Sequence, residues 1–215
     1  HRLHESVMMI KTLIDSSVMG KILWMRGRYG KEVNRDYKNS WRCNKKLNGG
    51  GILIDQGIHL IDIMNQFSGG FNKSQALFSN GYLKIDGVED NAFLNLYNSD
   101  TSISASVHNT ITQWRYLFSL EIFLENGSII LNGLRTKSGN YGNEILTIRP
   151  NKGIAVNGHN SDQEIHFSSN TSWDCEMDEF IRAIDNKDKY AYAGINDAIE
   201  IMKLIDKIYS NGEWV

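Results

Sequence analysis

One long apolar segment in the first half of the chain is the most informative for the fold. It reads Gly49-Gly50-Gly51-Ile52-Leu53-Ile54-Asp55-Gln56-Gly57-Ile58-His59-Leu60-Ile61-Asp62-Ile63-Met64-Asn65-Gln66-Phe67. At roughly 100° per residue of an α-helix, four polar side chains fall within about 60° of one another; they are Asp55, His59, Asp62 and Gln66. Most other positions are apolar. The segment therefore predicts a largely buried helix with one narrow polar stripe.

The polar stripe brings a carboxylate and an imidazole together, because Asp55 and His59 are four residues apart on the predicted helix. A neighbouring carboxylate raises the pKa of a histidine and orients its ring. Such a pair suits proton exchange with a hydroxyl group near neutral pH. The helical periodicity by itself favours a simpler interpretation, in which the stripe is only the solvated side of an amphipathic helix.

Three glycines, Gly49 to Gly51, stand immediately before the predicted helix. They leave room for close backbone approach, and the free amides of a first helical turn attract anions. A flexible loop end would have the same composition, so the glycines alone leave both interpretations open.

The residues before this segment predict a helix over 5–16, a strand over 21–29 and a polar, basic loop over 30–48. Basic and aromatic side chains together suit a sugar ring with a phosphate or nucleotide tail, although a solvated basic loop looks the same. The candidate substrate-binding residues are Arg28, Tyr29, Trp41, Arg42 and Lys45, with Arg2 as a weaker candidate. Three other histidines, His108, His159 and His166, are expected to be structural or exposed.

The residues after the segment change in character. Alternating, β-rich runs predict strands over 75–85, 92–97, 101–111, 117–124 and 128–132, with weaker ones over 144–149 and 164–167. Two amphipathic helices are predicted at the end, one starting at Ser172 and one over 195–209 with Ile199, Met202, Ile205 and Tyr209 on its apolar face. This order of elements predicts an α+β fold, an open and mostly antiparallel or mixed sheet with helices on one face.

The composition is that of an ordinary globular protein. The chain has 215 residues, a formal net charge of -2 and 41% hydrophobic residues, which predicts one domain over residues 1–215 and gives no sign of a nucleic-acid partner. Two distant cysteines, Cys43 and Cys175, form no disulfide framework and suit a reducing, cytoplasmic setting. No apolar run is long enough to span a membrane. We expect the chain, which opens on His1, to begin inside a longer protein.

Dinucleotide-binding and metal-binding motifs are absent from the sequence. There is no G-x-G-x-x-G after a strand, no G-x-x-x-x-G-K-[ST] and no H-E-x-x-H. Any dinucleotide must therefore be held mainly by residues outside this chain, and no metal site is expected.

The stretch from Trp41 to Asp62, with its glycine run and the D-x-G-x-H pattern of Asp55 and His59, resembles the signature of the glucose-fructose oxidoreductase / inositol dehydrogenase (Gfo/Idh/MocA) family. His1-Arg2, Gly20-Lys21-Ile22 and the closing helix with Asp197-Ala198 and Ile208-Tyr209-Ser210 extend the similarity through nearly the whole chain. The most specific part is the glycine run with D-x-G-x-H.

The resemblance implies a two-domain enzyme and identifies this chain as its C-terminal half, with a fold like the C-terminal domain of glyceraldehyde-3-phosphate dehydrogenase. A Rossmann domain, absent here, binds NAD or NADP and supplies a catalytic lysine. The family's catalytic Asp and His map onto Asp55 and His59. His59 would exchange the proton of the reacting hydroxyl, and Asp55 would orient it or a neighbouring hydroxyl.

The resemblance also implies the substrate and the assembly. The expected substrate is a sugar, nucleotide sugar, amino sugar or cyclitol, and a homodimer or homotetramer is expected to form through the exposed sheet face. The chain departs from the family because the Rossmann domain and its lysine are missing, so the chain alone should be inactive. Two alternatives remain: a non-catalytic binding or oligomerisation domain that kept the fold, and a hydrolytic metal site on Asp55, His59 and Asp62.

Overall fold

The computed structural model describes residues 1–136, 141–151, 162–186 and 193–215. The strands form one nine-stranded sheet in the order β8-β7-β6-β5-β1-β4-β3-β2-β9. They are β1 (Ile22–Gly30), β2 (Lys73–Ser79), β3 (Asn91–Asn98), β4 (Ile103–Thr110), β5 (Leu117–Leu124), β6 (Gly127–Asn132), β7 (Glu144–Pro150), β8 (Gln163–Phe167) and β9 (Glu213–Trp214). Strand β1 is parallel to β4 and β2 is parallel to β9, whereas the other neighbours are antiparallel.

The helices are α1 (Glu5–Asp15), α2 (Lys45–Asn48), α3 (Ile58–Ser68), α4 (Ser172–Asn186) and α5 (Ile195–Asn211), with two 3-10 turns over Arg35–Asn39 and Trp41–Cys43. The predicted α+β class, with an open mixed sheet, is confirmed. Within the residues that the structure describes, no helix is both long and apolar enough to cross a membrane.

Helix α3 lies directly on the central strand. A Cβ atom added to Gly27 of β1 would come within 2.8 Å of Leu60 and 3.1 Å of Met64. Both helix residues are fully buried. The glycine thus lets α3 approach the sheet closely, which places the polar stripe of the segment at one end of β1.

The strand alternation separates the two sheet faces. In β4, Ala105 and Val107 are buried under the helices, whereas Ser104 and Ser106 point to the other side and are exposed. Side chains of a strand alternate between faces, so the pattern of β4 fixes its orientation.

Three expectations need correction. The strand expected over 75–85 ends at Ser79, because the carboxylate of Asp90 accepts hydrogen bonds from the amides of Tyr82 and Leu83 and holds them in a turn. The short strand β9 was not anticipated. The buried face of α5 consists of Ile201, Leu204, Ile205 and Ile208, so the expected positions Ile199 and Met202 are instead exposed.

Candidate functional site

The apolar segment does not enter its helix in regular α form. It begins with a π-helical turn over Leu53–Gly57 and continues as α3. Single π-turns inside helices occur frequently at functional sites. Gly57 closes the turn against the buried Asn109 of β4, whose amide nitrogen would lie 2.6 Å from a Cβ at this position.

Asp55 sits on this π-turn and is held by two cations. Its carboxylate accepts hydrogen bonds from Lys31 Nζ at 3.1 Å and from Arg42 Nε at 2.9 Å. The Tyr37 hydroxyl lies at 3.5 Å. The Asp55 side chain is only 8% exposed, and a buried carboxylate needs such partners. Lys31 and Tyr37, which belong to the basic loop, are thereby added to the site.

Arg42 and Trp41 form one edge of the site. The Arg42 guanidinium carbon stands 4.6 Å from the centre of the Trp41 ring, a cation–π contact that also orients the arginine toward Asp55. The Trp41 ring is 52% exposed. An exposed aromatic face beside fixed hydrogen-bonding groups is a surface on which a sugar ring can stack.

A cavity of about 450 Å³ opens beside α3. Many of the residues that line it are polar or titratable, and the lining consists of His1, Arg2, Leu3, His4, Tyr29, Gln56, His59, Asp62, Thr136, Ser172, Trp173, Glu176 and Ala193. A concave site with a few convergent polar groups has the size and character of a small-molecule site.

His59 projects into this cavity and stacks on His1. The two imidazole rings are parallel within 3°, with their centres 4.3 Å apart. The pKa of His59 is lowered, first by burial, while Asp62 and Asp55 act in the opposite direction. The expected rise is therefore wrong, because burial of the ring outweighs the carboxylates.

Asp55 and His59 are not direct hydrogen-bond partners among the described residues. The π-turn widens the helix at Asp55, so the regular four-residue spacing is lost. Gln56 contacts Asp55 and also lines the cavity: its Nε2 lies 3.5 Å from Asp55, and its Oε1 accepts a hydrogen bond from the Tyr141 hydroxyl at 3.1 Å. Sequence reasoning missed Gln56 and Tyr141, and Tyr141 carries no local motif.

Tyr29 lines the cavity from below. Its hydroxyl is 2.9 Å from His1 Nε2, and its ring makes edge contacts with Phe118 and Tyr141. Burial raises the pKa of Tyr29 far above its ordinary value, so the hydroxyl stays protonated and remains a hydrogen-bond donor. Tyr29 therefore lines the same cavity as His59.

Arg2 reaches the cavity but is already engaged. Its guanidinium donates to both carboxylate oxygens of Asp62, at 2.7 and 2.6 Å, and to Asp197 at 2.9 Å. Bidentate pairing of this kind is among the strongest side-chain hydrogen bonds. Arg2 thus ties the start of the chain to α3 and α5 at the cavity wall.

Two candidates lie elsewhere. Arg28 is exposed on the opposite face of the sheet, because it follows Gly27 and precedes Tyr29, which both face the helices. Lys45 packs against Gly87 and lines a separate, smaller cavity with Tyr209 and Trp214. Neither side chain joins Asp55 and His59, so both are corrections to the expected substrate pocket.

The other histidines named in the sequence analysis do not line the cavity where the structure describes them. His108 stacks on Phe93 on the open face, and His166 is exposed beside Glu164. His159 lies outside the described residues.

The glycine run does not offer free amides. The carboxylate of Glu89 accepts hydrogen bonds from Gly51 N at 2.9 Å and Leu53 N at 2.8 Å. The expected anion site at these amides is therefore filled by the chain's own side chain. Sequence reasoning missed Glu89, although an acidic pair, Glu89-Asp90, directly before a strand was a visible signal.

The described residues also bear on the hydrolytic alternative. Within them, no three His, Cys, Asp or Glu side chains lie close enough together to hold a metal ion. Asp55 and Asp62 are bound to Lys31, Arg42 and Arg2 instead.

The open mixed sheet, with the helix of Asp55 and His59 packed on its central strand, is the architecture of a known family of domains. The chain matches the family model of the GFO/IDH/MocA C-terminal domain over residues 7–130, more than half of its length. It therefore belongs to this family, as the resemblance predicted.

The individual relatives share little sequence identity with this chain or match only a small part of it. A levoglucosan dehydrogenase from Pseudarthrobacter phenanthrenivorans is 32% identical over 81 residues, which cover 37% of this chain and 21% of the relative. Levoglucosan dehydrogenase in complex with NADH and levoglucosan has a TM-score of 0.82 at 19% identity, covering 98% of this chain and 61% of that chain. An NAD binding oxidoreductase from Klebsiella pneumoniae has a TM-score of 0.79 at 14% identity, covering 98% and 62%. The chain thus spans about three fifths of the length of these solved structures.

Proposed function

We propose that residues 1–215 form the substrate-binding and oligomerisation domain of a two-domain, NAD(P)-dependent oxidoreductase. Its reaction moves a hydride between the nicotinamide and a hydroxyl or keto carbon of a sugar, nucleotide sugar, amino sugar or cyclitol. The observation that carries the proposal is the placement of His59 in the cavity wall, with a lowered pKa, four residues after an Asp55 that Lys31 and Arg42 hold in place.

His59 is the proton acceptor for the substrate hydroxyl in the oxidative direction, and the proton donor in the reverse direction. The lowered pKa of His59 keeps its imidazole neutral near pH 7, and a neutral imidazole accepts a proton. The stacked His1 ring limits how His59 can turn. A hydroxyl bound in the cavity therefore meets a base of defined orientation.

Asp55 orients a second part of the substrate in this proposal. It is not bonded to His59, but Lys31 and Arg42 hold its carboxylate at the end of the π-turn. The carboxylate oxygens of Asp55 and the N–H groups of Lys31 and Arg42 together present a fixed set of acceptors and donors to neighbouring hydroxyl groups. The exposed Trp41 ring beside Arg42 would pack on the apolar face of the sugar.

The residues of this chain do not fit a dinucleotide by themselves. The sequence lacks a strand followed by G-x-G-x-x-G, and the two amides before the π-turn already bind Glu89. We therefore assign NAD or NADP binding, and the family's catalytic lysine, to a Rossmann domain outside these residues. The chain alone would then be inactive.

The substrate class is drawn from the relatives. Two solved structures of levoglucosan dehydrogenase are described, one in complex with NADH and levoglucosan and one in complex with NADH and L-sorbose. A cavity of about 450 Å³ is large enough for a ligand of that size.

The open sheet face supports the assembly that we propose, a homodimer or homotetramer. Trp24 stacks on Phe123 with ring centres 3.9 Å apart, and Phe93 stacks on His108 at 4.1 Å. Trp24 and Phe93 remain 38% and 46% exposed. A second copy packed on this face would cover them and give a symmetric interface.

The test is turnover by the full-length protein that contains this domain. NAD+ and NADP+ are offered with a panel of aldoses, ketoses, amino sugars, nucleotide sugars and cyclitols, and reduced nicotinamide is followed by absorbance. We expect turnover with at least one member and none by residues 1–215 alone. Turnover by the isolated chain would contradict the assignment of NAD(P) binding to a separate Rossmann domain. Binding of a sugar by the full-length protein without any turnover would favour the non-catalytic alternative.

A further inference from the structure

Glu89 is the most thoroughly enclosed charged side chain near the site. It stands directly before β3 with none of its surface exposed. Three donors point at its carboxylate: Gly51 N at 2.9 Å, Leu53 N at 2.8 Å and the Tyr209 hydroxyl at 2.8 Å. The pKa of Glu89 is raised, because burial outweighs these hydrogen bonds, which act in the opposite direction.

The backbone of Glu89 takes part in the same contact. Its carbonyl oxygen accepts a hydrogen bond from Ile52 N at 3.0 Å, so three consecutive amides of the segment, 51 to 53, end on one residue. Gly51 is required for this approach, because an added Cβ would lie 2.6 Å from the Glu89 backbone nitrogen and closer still to its carbonyl oxygen. The segment is therefore fixed immediately before the π-turn.

This fixation reaches Asp55 through the main chain. Asp55 N donates to Gly51 O at 3.1 Å, so the residue that meets Lys31 and Arg42 is bonded to the residue that Glu89 holds. The alternative register, a regular α-turn without the extra residue, would rotate Asp55 about the helix axis and away from both cations.

We propose that Glu89 is a positioning residue of the enzyme: it sets the π-turn and thereby places the Asp55 carboxylate between Lys31 and Arg42. This role rests on the proposed function of Asp55. A carboxylate suits it because the ionised group only accepts hydrogen bonds and both oxygens face amide donors. The amide of a glutamine would turn its NH2 group toward one of the two backbone amides.

The experiment uses the full-length protein with Glu89→Gln, and with Tyr209→Phe as the matched control. Tyr209→Phe removes one hydrogen bond from Glu89 but leaves both backbone amides bound. We expect Glu89→Gln to lower kcat by about 10-fold or more, since small misplacements of a site residue have effects of this size. Tyr209→Phe should lower the unfolding midpoint with kcat within about 2-fold of wild type. Glu89→Asp, one methylene shorter, provides a second variant if Glu89→Gln does not fold.

A double-mutant cycle separates positioning from stability. If Glu89 acts through Asp55, Asp55→Asn should cost less in the Glu89→Gln background than in wild type. The rate of amide hydrogen exchange in peptides covering residues 49–59 reports on the π-turn and requires no enzymatic activity. This rate should rise more in Glu89→Gln than in Tyr209→Phe.

The outcomes are distinct. Unchanged kcat in Glu89→Gln, or full additivity with Asp55→Asn, overturns the positioning role while leaving the proposed function in place. A wild-type protein that exchanges slowly over 49–59 but turns over no substrate overturns the proposed function, and the role of Glu89 in it.

Discussion

The two faces of the sheet differ in how their polar groups are satisfied. On the helix-covered face, Asp55, Asp62 and Glu89 each accept two or more hydrogen bonds from charged or backbone donors within about 3 Å. On the open face, Arg26 and Glu121 form an ion pair in which the Arg26 side chain is 53% exposed.

The difference shows which face is committed to a fixed geometry. Partnered charges in a low-dielectric setting hold their positions, whereas exposed ion pairs contribute little and adapt to what covers them. This contrast supports the proposal that the helix-covered face carries the chemistry and that the open face recognises another surface.

The largest effect should come from the helix-covered face. In the full-length enzyme, His59→Ala should lower kcat by about 10²-fold or more, because the hydroxyl loses its proton acceptor. Steady-state kinetics with a confirmed substrate measure this. Turnover equal to wild type would remove His59 from the proton transfer.

The second largest effect should be a loss of folding stability at low pH, caused by the buried His4 on the helix-covered face. Burial lowers the pKa of His4 to about 4, helped by the amino group of His1, so the folded protein holds this ring neutral. An unfolded histidine protonates near its usual 6.5, so stability is fully present above that pH and falls as the pH drops toward 4. The loss should reach roughly 2 kcal/mol by about pH 4.5.

The measurement is urea unfolding of residues 1–215 at pH 7 and pH 4.5, compared with His4→Gln. The neighbouring carboxylate of Glu144 lies 3.8 Å away, and its own pKa is raised by burial, so Glu144 shifts stability the opposite way in both proteins. The difference between the two proteins isolates His4. Equal acid sensitivity in wild type and variant would contradict the prediction.

A smaller effect is expected on the open face. Trp24→Ala removes the ring stacked on Phe123 and should weaken self-association about 10-fold, or about 1.4 kcal/mol, if that face is the interface. Sedimentation at several concentrations measures it, with kcat as the control. A variant that associates as tightly as wild type would place the interface elsewhere.

The smallest effect should be that of Arg28→Ala. Its side chain shares the open face with Trp24 and lies across the sheet from His59, so kcat and KM should remain within about 2-fold of wild type. A large rise in KM would show that the open face of a neighbouring subunit contributes to substrate binding, and it would blur the division between the faces.

Local patterns were sufficient where the determinants are local. The bounds of β5, Leu117–Leu124, match the prediction to the residue, because apolar alternation ends there at the turn of Glu125 and Asn126. The placement of Asp55 and His59 on one element was also predicted. The family resemblance was specific because its residues lie within one continuous stretch.

The missing parts of the site depend on distant partners. Gly51 meets Glu89 across 38 positions, and Lys31 meets Asp55 across 24. Tyr141 reaches Gln56 from 85 residues away. The π-turn follows from these contacts and from Gly57 against Asn109, so helical periodicity alone predicted a regular helix there.

The position of β1 at the centre of the sheet has a consequence for how the chain folds. Trp24 of β1 pairs with Ser104 of β4 on one side and with Phe123 of β5 on the other. Both neighbours lie far along the chain from β1, so this strand has no partner until β4 has been synthesised and keeps one unpaired edge until β5 has been synthesised. Closing such long loops slows folding, and until they close the unpaired edge of β1 can pair with another chain. We therefore expect refolding to be slow and sensitive to protein concentration, with chaperones important during synthesis.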